Sequence, residues 1–419
     1  MKAYLFLSLA LLLSCSSPEK QIFHDDNIVR FGEAIQNTRK VRLSELVDKI
    51  ELVPLETTEN SMLRDTYWYT HTPPYICVSG NLFDYNGKHK FKIGRKGLGP
   101  CEDFYTAINV LYHPIHNIFF SKATKMIIYD EHGVCTGLEK QLYLTDNKHG
   151  LIVSGTDHLR GYAVAGENFI INNNHDSLLW IDINLKKIKQ IPMPISGGIN
   201  RFLDSGSRYA RTFTTHHDST LFYNYWNDTI YRVNSTNIEP RWIIDLGDEK
   251  APEEVRLRYD ELLKEKFQAM LAVRSGIPLK EHEIDALRLT KDKKAIWAVY
   301  ETDDYLFFTW SKISPNNSHR NITDFQLQVG YYNKKTRETV AVEGGGFIDD
   351  IFFTGRYHPK FGVFDNKLMQ VVWPYELALF IEQKQKDKKK VHPKLLELSK
   401  KISDEDNPFL MVAHLKNVE

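Results

Sequence analysis

LFDYNGKHKFKIGRKGLGPCEDF, residues 82–104, reads as a strand, a tight turn at Asn86-Gly87, a returning strand and a glycine-rich corner. Asn and Gly suit that turn because two-residue hairpins need positive φ, or a side chain that bonds the local backbone. The unit recurs along the chain. An apolar, aromatic strand reaches Asp or Asn, turns, and returns with Lys or Arg, at Asp130 to Gly133, Asp182 to Asn184, Asn234 to Asn237 and Asn333 to Thr336. Successive turns lie roughly 44, 52, 52 and 99 residues apart, and the last gap holds a helical insertion of about 39 residues. A period near 50 residues with several short strands predicts a propeller rather than a sandwich. A further turn at Asp365-Asn366 follows the fifth too closely to be its equivalent, and fits a different hairpin of the final blade.

The insertion, about 252–290, opens at Pro252 and places Val255, Tyr259, Leu262, Leu263, Phe267, Met270 and Leu271 on one helical face. It reads as a cap on the propeller or as a docking arm. A second helical region follows Pro374, runs to about Lys386, and resumes beyond Pro393 to Ile402. After it, Phe409 to Leu415 is an apolar strand, and far upstream Ile50 to Leu55 alternates as a strand does. A propeller must pair its first and last segments, because each otherwise leaves an open strand edge.

At the N-terminus, Lys2 precedes an apolar run from Ala3 to Leu13 that closes on LLSC. The run is too short for a membrane span and has the layout of a secretory signal, with Leu12, Leu13 and Ser14 forming a lipobox before an acylated Cys15. Residues 1–15 are therefore expected to be a lipoprotein signal peptide. Residues 16–42 are polar and aperiodic and read as a flexible tether; Ser16 and Ser17 fit a lipoprotein that leaves the inner membrane, and the expected address is the outer membrane. A single domain is expected over 43–419.

The lipobox, VPLET (53–57), Gly94-Arg95-Lys96-Gly97 with Gly99-Pro100, NDTIYRV (227–233) leading into WIIDLG (242–247), and Asp406-Asn407-Pro408 go together. In these the chain resembles the six-bladed β-propeller lipoproteins of Gram-negative bacteria, over nearly its whole mature length. The resemblance implies an all-β, six-bladed β-propeller with the helical insertion and a C-terminal helical excursion before the closing strand. It also implies a lipid anchor in the cell envelope. One position departs: Cys101 stands where the pattern usually carries glycine, and cysteine resists the positive φ that glycine allows.

Composition narrows the function. The 54 basic and 54 acidic residues balance, which leaves no electrostatic footprint for nucleic acid. Cys77, Cys101 and Cys135 remain once Cys15 is set aside; they are odd in number, match no metal-binding spacing, and are expected as three free thiols. HExxH, GxSxG, P-loop, EF-hand and CxxC signatures are absent. His113 with His116, and His216 with His217, offer imidazole pairs, but such pairs are more often solvated or hydrogen-bonded loop histidines than ligands. Gly94 to Pro100 fails as a phosphate loop because Pro100 and a polar turn follow it, where a helix would be needed. It is expected as an inter-blade corner whose Arg95 and Lys96 can meet an anionic ligand.

The aromatic groups Tyr67-Trp68-Tyr69 and Tyr223-Tyr225-Trp226 are expected in the core rather than as sugar platforms. Arg160, Arg201, Arg208 and Arg211 read as scattered surface cations, with Arg160 the secondary binding candidate. The expectation is a non-catalytic module that binds a glycan, peptide or protein partner, with no catalytic residue, metal or cofactor. The competing class is a propeller hydrolase or lyase acting at the central channel.

Overall fold

The computed structural model describes residues 25–63, 69–103, 110–122, 125–141, 161–173, 177–192, 213–217, 219–223, 228–250, 275–276, 278, 281, 293–312, 327–359 and 362–417. Its strands form six four-stranded antiparallel blades, lettered here A (inner) to D (outer). Blade 1 is Tyr69–Thr72, Tyr75–Val78, Asn81–Phe83 and His89–Lys92; blade 2 is Val110–His113, Ile118–Lys122, Lys125–Tyr129 and Cys135–Gln141. Blade 3 is Tyr162–Ala165, Asn168–Asn173, Ser177–Ile181 and Lys187–Pro192; blade 4 is Phe213–His216, Ser219–Tyr223, Thr229–Val233 and Ile238–Asp245. Blade 5 is Lys294–Glu301, Tyr305–Lys312, Gln328–Asn333 and Thr339–Ala341. Blade 6 takes Val363–Phe364, Lys367–Val372 and Phe409–Leu415 from the end of the chain and Val47–Pro54 from its start. Neighbouring A strands touch from blade 1 through blade 6, as a ring requires.

The recurring Asp or Asn has one task. It opens the turn between strands C and D, where its side chain accepts from two backbone amides of the turn. Asp84 takes those of Asn86 and Lys88, Asp130 those of His132 and Val134, and Asp182 those of Asn184 and Lys186. Asn234 and Asn333 do the same in blades 4 and 5. Gly87 is at φ +81°, and a Cβ there would stand 2.1 Å from the Pro54 carbonyl oxygen, so only glycine fits.

The cores are the wedges between blades. Phe120 and Phe169 stack at 4.4 Å between blades 2 and 3. Between blades 3 and 4, buried Trp180 donates from Nε1 to the Asn234 carbonyl at 3.0 Å. Tyr223 is buried as expected of a core aromatic; Tyr67, Trp68, Tyr225 and Trp226 lie outside the described residues.

The ring closes where the sequence placed the closure. Strand Val47–Pro54 runs antiparallel to Phe409–Leu415, from Val47 opposite Leu415 to Pro54 opposite Phe409. Asn407, 2% exposed, fastens the junction. Its Nδ2 donates to the carbonyls of Glu56 and Ser61 at 2.7 and 2.9 Å, and its Oδ1 accepts from the Leu63 amide at 2.8 Å. Asp365 and Asn366, both at positive φ, make the two-residue turn of the A–B hairpin in blade 6. Helices Pro374–Lys386 and Pro393–Ser399 occupy the B–C connection of that blade, and Leu377, Ile381, Leu395 and Leu398 pack on the core between blades 5 and 6. The second helix ends three residues short of the expected Ile402.

Two expectations are corrected. The tether reading of 16–42 fails from Asp25 onward, because strand Ile28–Arg30 pairs in parallel with Ile243–Asp245 and adds a fifth strand to blade 4. Helix Phe31–Gln36 follows, and fully buried Phe31 wedges between blades 4 and 5 against Phe308 and Trp310. Gly330 makes the room: a Cβ there would lie 2.4 Å from the Phe31 ring. Few residues separate the polar segment from the domain, and its apolar positions are too sparse to show periodicity. The free-thiol reading fails for two of three cysteines. Cys101 and Cys135 form a disulfide, while Cys77 is buried and free, its thiol pushed up to about 12 by burial. Cys101 also adopts φ +61°, so the chain accepts there the strain that glycine would avoid. Cys15, Arg160, Arg201, Arg208, Arg211 and nearly all of the 252–290 insertion lie outside the described residues.

The Phe31 wedge gives a direct test of the first correction. Phe31→Ala should lower unfolding stability by about 3–5 kcal/mol, measured by denaturant melts, because it empties a sealed aromatic site. A true tether residue would leave the melt unchanged.

Candidate functional site

Two regions gather chemistry. The first is the predicted corner, which runs from blade 1 toward blade 2. Arg95 and Lys96 pair in parallel with Glu102 and Asp103, and both cations point to solvent. Glu102 folds back so that its Oε2 accepts from the Gly99 amide at 3.0 Å, which leaves no space for a side chain at Gly97. The corner is riveted to the outer strands of blade 2. Lys125 Nζ donates to the Gly99 carbonyl at 2.9 Å and to Glu139 at 3.1 Å, the Cys101 amide donates to Glu139 at 2.7 Å, and the disulfide completes the attachment. Leu98 projects from the tip, 84% exposed. The result is a rigid, exposed tip that carries two cations and one apolar side chain.

The second region is the end of the ring where strands A and B connect. These connections are short in every blade, and contacts between neighbouring blades tie them together. The Tyr112 amide donates to Thr72 Oγ1, the His113 ring meets Phe169 edge-on at 5.2 Å, and Thr214 Oγ1 donates to the Val299 carbonyl at 2.9 Å. His71 stacks on Phe364 at 4.0 Å and shares a hydrogen bond with the Tyr85 hydroxyl at 2.7 Å, joining blades 6 and 1. Burial, with the Lys367 charge, pushes His71 down to about 3, so it stays neutral.

Both histidine pairs of the sequence fall at this end, with different fates. His113 is fully buried rather than solvated; burial and the His116 charge lower it, and the two rings stand 4.7 Å apart. His216 and His217 instead converge on blade 5. Their Nε2 atoms lie 3.1 and 2.8 Å from the same Asp303 Oδ1. Adjacent residues of a strand point to opposite faces; His217 escapes that rule through φ +49°, which swings its ring beside that of His216. Asn366 of blade 6 holds the carboxylate from behind, accepting from the Asp303 amide at 3.0 Å and donating to Oδ2. The hydrogen bonds from His217 and Asn366 keep Asp303 below the ordinary carboxylate value, while burial and His217 lower His216.

Beside this group lies a buried ion pair. Glu301, 5% exposed, meets Lys334 Nζ at 2.6 Å and Arg241 Nη2 at 3.5 Å. Both cations lie over the Trp242 ring, at 5.2 Å for Arg241 and 5.9 Å for Lys334. Burial raises Glu301, but Lys334 and Arg241 outweigh it and hold the carboxyl below its ordinary value. Burial lowers Lys334, with Glu301 opposing. Asp303 and Glu301 were not singled out in the sequence, and Asn366 only as half of the turn at Asp365-Asn366. Their only signal was position, since Asp303 and Asn366 occupy A–B turns that a registered propeller brings to one end.

Glu301→Gln should cost about 3–5 kcal/mol, because it leaves the Lys334 cation without its charge partner in a mostly buried site. A carboxyl depressed by folding contributes stability above its unfolded value and loses it as pH falls through the folded one. The wild-type protein should therefore lose this contribution below pH 4.5, the ordinary value for the group, and the variant should melt with a flatter acid limb. Parallel acid limbs would contradict the pairing.

No curated protein matches the chain. Among solved structures, a protein of Bacteroides fragilis with a provisional description as exported aligns over 93% of this chain and all of its own, at 16% identity and TM-score 0.59. Streptogramin B lyase aligns over 70% of this chain and 72% of its own, at 12% identity and TM-score 0.33. BamB of Moraxella catarrhalis aligns over 69% of this chain and 66% of its own, also at 12% and 0.33. A family model described as a domain of unknown function, DUF4934, matches residues 26–414. The chain is a member of the DUF4934 family.

Proposed function

We propose that this protein is an exported lipoprotein, anchored through Cys15 in the outer membrane, whose propeller binds a glycan, peptide or protein partner without turning it over. The observation that carries this reading is the corner at 94–102. An exposed Arg95-Lys96 pair beside Leu98 is held by a disulfide and three side-chain hydrogen bonds, so little ordering entropy is lost when a partner docks. The planar guanidinium of Arg95 suits a carboxylate, Lys96 adds a second cation, and Leu98 supplies apolar contact. The favoured partner is therefore one that offers carboxylates beside an apolar or sugar surface. Arg160 is the secondary contact in this proposal. Anchoring adds multivalency, since several copies on one membrane strengthen weak contacts.

The test has two arms. The mature chain from Ser16, applied to peptide and uronic-acid-containing glycan arrays, should bind one class and release no product over hours. Arg95→Ala with Lys96→Ala should weaken that binding at least tenfold and leave the melt unaltered. Unchanged affinity in the double variant would reject the corner, and product release would favour the hydrolase or lyase class. In cells, Cys15→Ala should abolish fatty-acid labelling and free the protein from the membrane fraction; persistent labelling would reject the anchor.

A further inference from the structure

We infer that His216, His217 and Asp303 form a binding site for a first-row divalent cation of the zinc type, open to solvent at its remaining position. This goes beyond the binding reading and does not rest on it, since the corner and this cluster share no residue.

The geometry points to a metal rather than to an ordinary hydrogen bond. Two imidazole Nε2 atoms address a single carboxylate oxygen at 3.1 and 2.8 Å, and the three ligand atoms all lie within 4.8 Å of one another. Ligands about 2.0–2.1 Å from a tetrahedral ion stand about 3.3 Å apart, and both imidazole–carboxylate distances lie within about half an ångström of that spacing. Two nitrogens and one oxygen are a borderline donor set, suited to zinc and its neighbours and poor for calcium or magnesium, which want oxygen throughout.

The surroundings fit a held ligand set. Asn366 takes Oδ2 and the backbone amide of Asp303, which leaves Oδ1 to face the imidazoles and fixes the carboxylate as a one-oxygen ligand. The donors come from blades 4 and 5 through turns of fixed register, and blade 6 supports them through Asn366. The half-buried His216 supplies the anchored side, and the exposed His217 and Asp303 supply the open side. Three protein ligands and one solvent-facing position is the pattern of a site that exchanges water or takes a ligand atom from outside.

An ion there would tie blades 4 and 5 together directly, and blade 6 through Asn366, whose carbonyl accepts from the Leu415 amide of the closing sheet. Binding to the folded state alone raises stability by mass action, so occupancy reads out as a thermal shift.

The experiment uses the untagged mature chain in detergent, stripped with chelator and titrated with zinc chloride by calorimetry and thermal melts. One zinc per chain should bind and raise the melting temperature, whereas magnesium and calcium at the same concentration should not. His217→Ala and Asp303→Asn should each weaken the zinc site at least tenfold and erase the shift, while melting like the wild type in chelator. Asn366→Ala, which removes no ligand, should weaken it about tenfold. His132→Ala, an exposed histidine of blade 2, should change nothing. Zinc binding equal in the wild type and His217→Ala would overturn the inference, as would the absence of any stoichiometric site.

Discussion

Everything in this structure depends on one joint, the pairing of Val47–Pro54 with Phe409–Leu415. Strands from the two ends of the described chain complete one blade, and the ring has no other way to bury both edges. Phe409, Leu410, Met411, Val412, Ala413 and Leu415 are all 7% exposed or less, and a large apolar side chain so sealed is worth about 1.5–3 kcal/mol. Asn407 locks the joint. Without it the Leu63 amide and the carbonyls of Glu56 and Ser61 would be buried near the joint with one partner fewer, and an unsatisfied buried group costs about 1–3 kcal/mol.

A closed ring fixes the register of its inner strands, and this gives the two ends different character. At the A–B end the connections are short and held by contacts that cross from blade to blade. Polar groups distant in sequence are thereby brought together, as His217, Asp303 and Asn366 are. At the other end lie the long connections: the corner bound to blade 2 and the helices on the core between blades 5 and 6. A rigid frame thus presents a converging cluster at one end and a projecting cationic tip from a connection of the other.

The sequence carried the frame well because propeller blades are local structures. Each C–D turn needs an Asp or Asn to bond its own amides, and that need repeats at blade length. The motifs behind the resemblance also meet physically: Asn407 bonds Glu56 and Thr57, so VPLET and Asp406-Asn407-Pro408 are two halves of one clasp. The corner was legible as a corner. Its disulfide was not, since Cys101 and Cys135 lie 34 residues apart with no spacing rule to join them. The N-terminal wedge was missed because its strand pairs with residues more than 200 positions away, and Phe31 owes its burial to that partner rather than to local pattern. The histidine cluster was half legible. His216-His217 is visible as a pair, but Asp303 and Asn366 become partners only once three blades stand in register.

The closing joint carries the ring, and hydrogen exchange across it tests that joint most directly. Deleting residues 407–419 should strip amide protection from Val47–Pro54, and from the 55–63 segment that Asn407 holds, and should lower the melting temperature. If those amides keep wild-type protection in the shortened chain, the first strand is held by something other than the last, and the ring is not closed in this way.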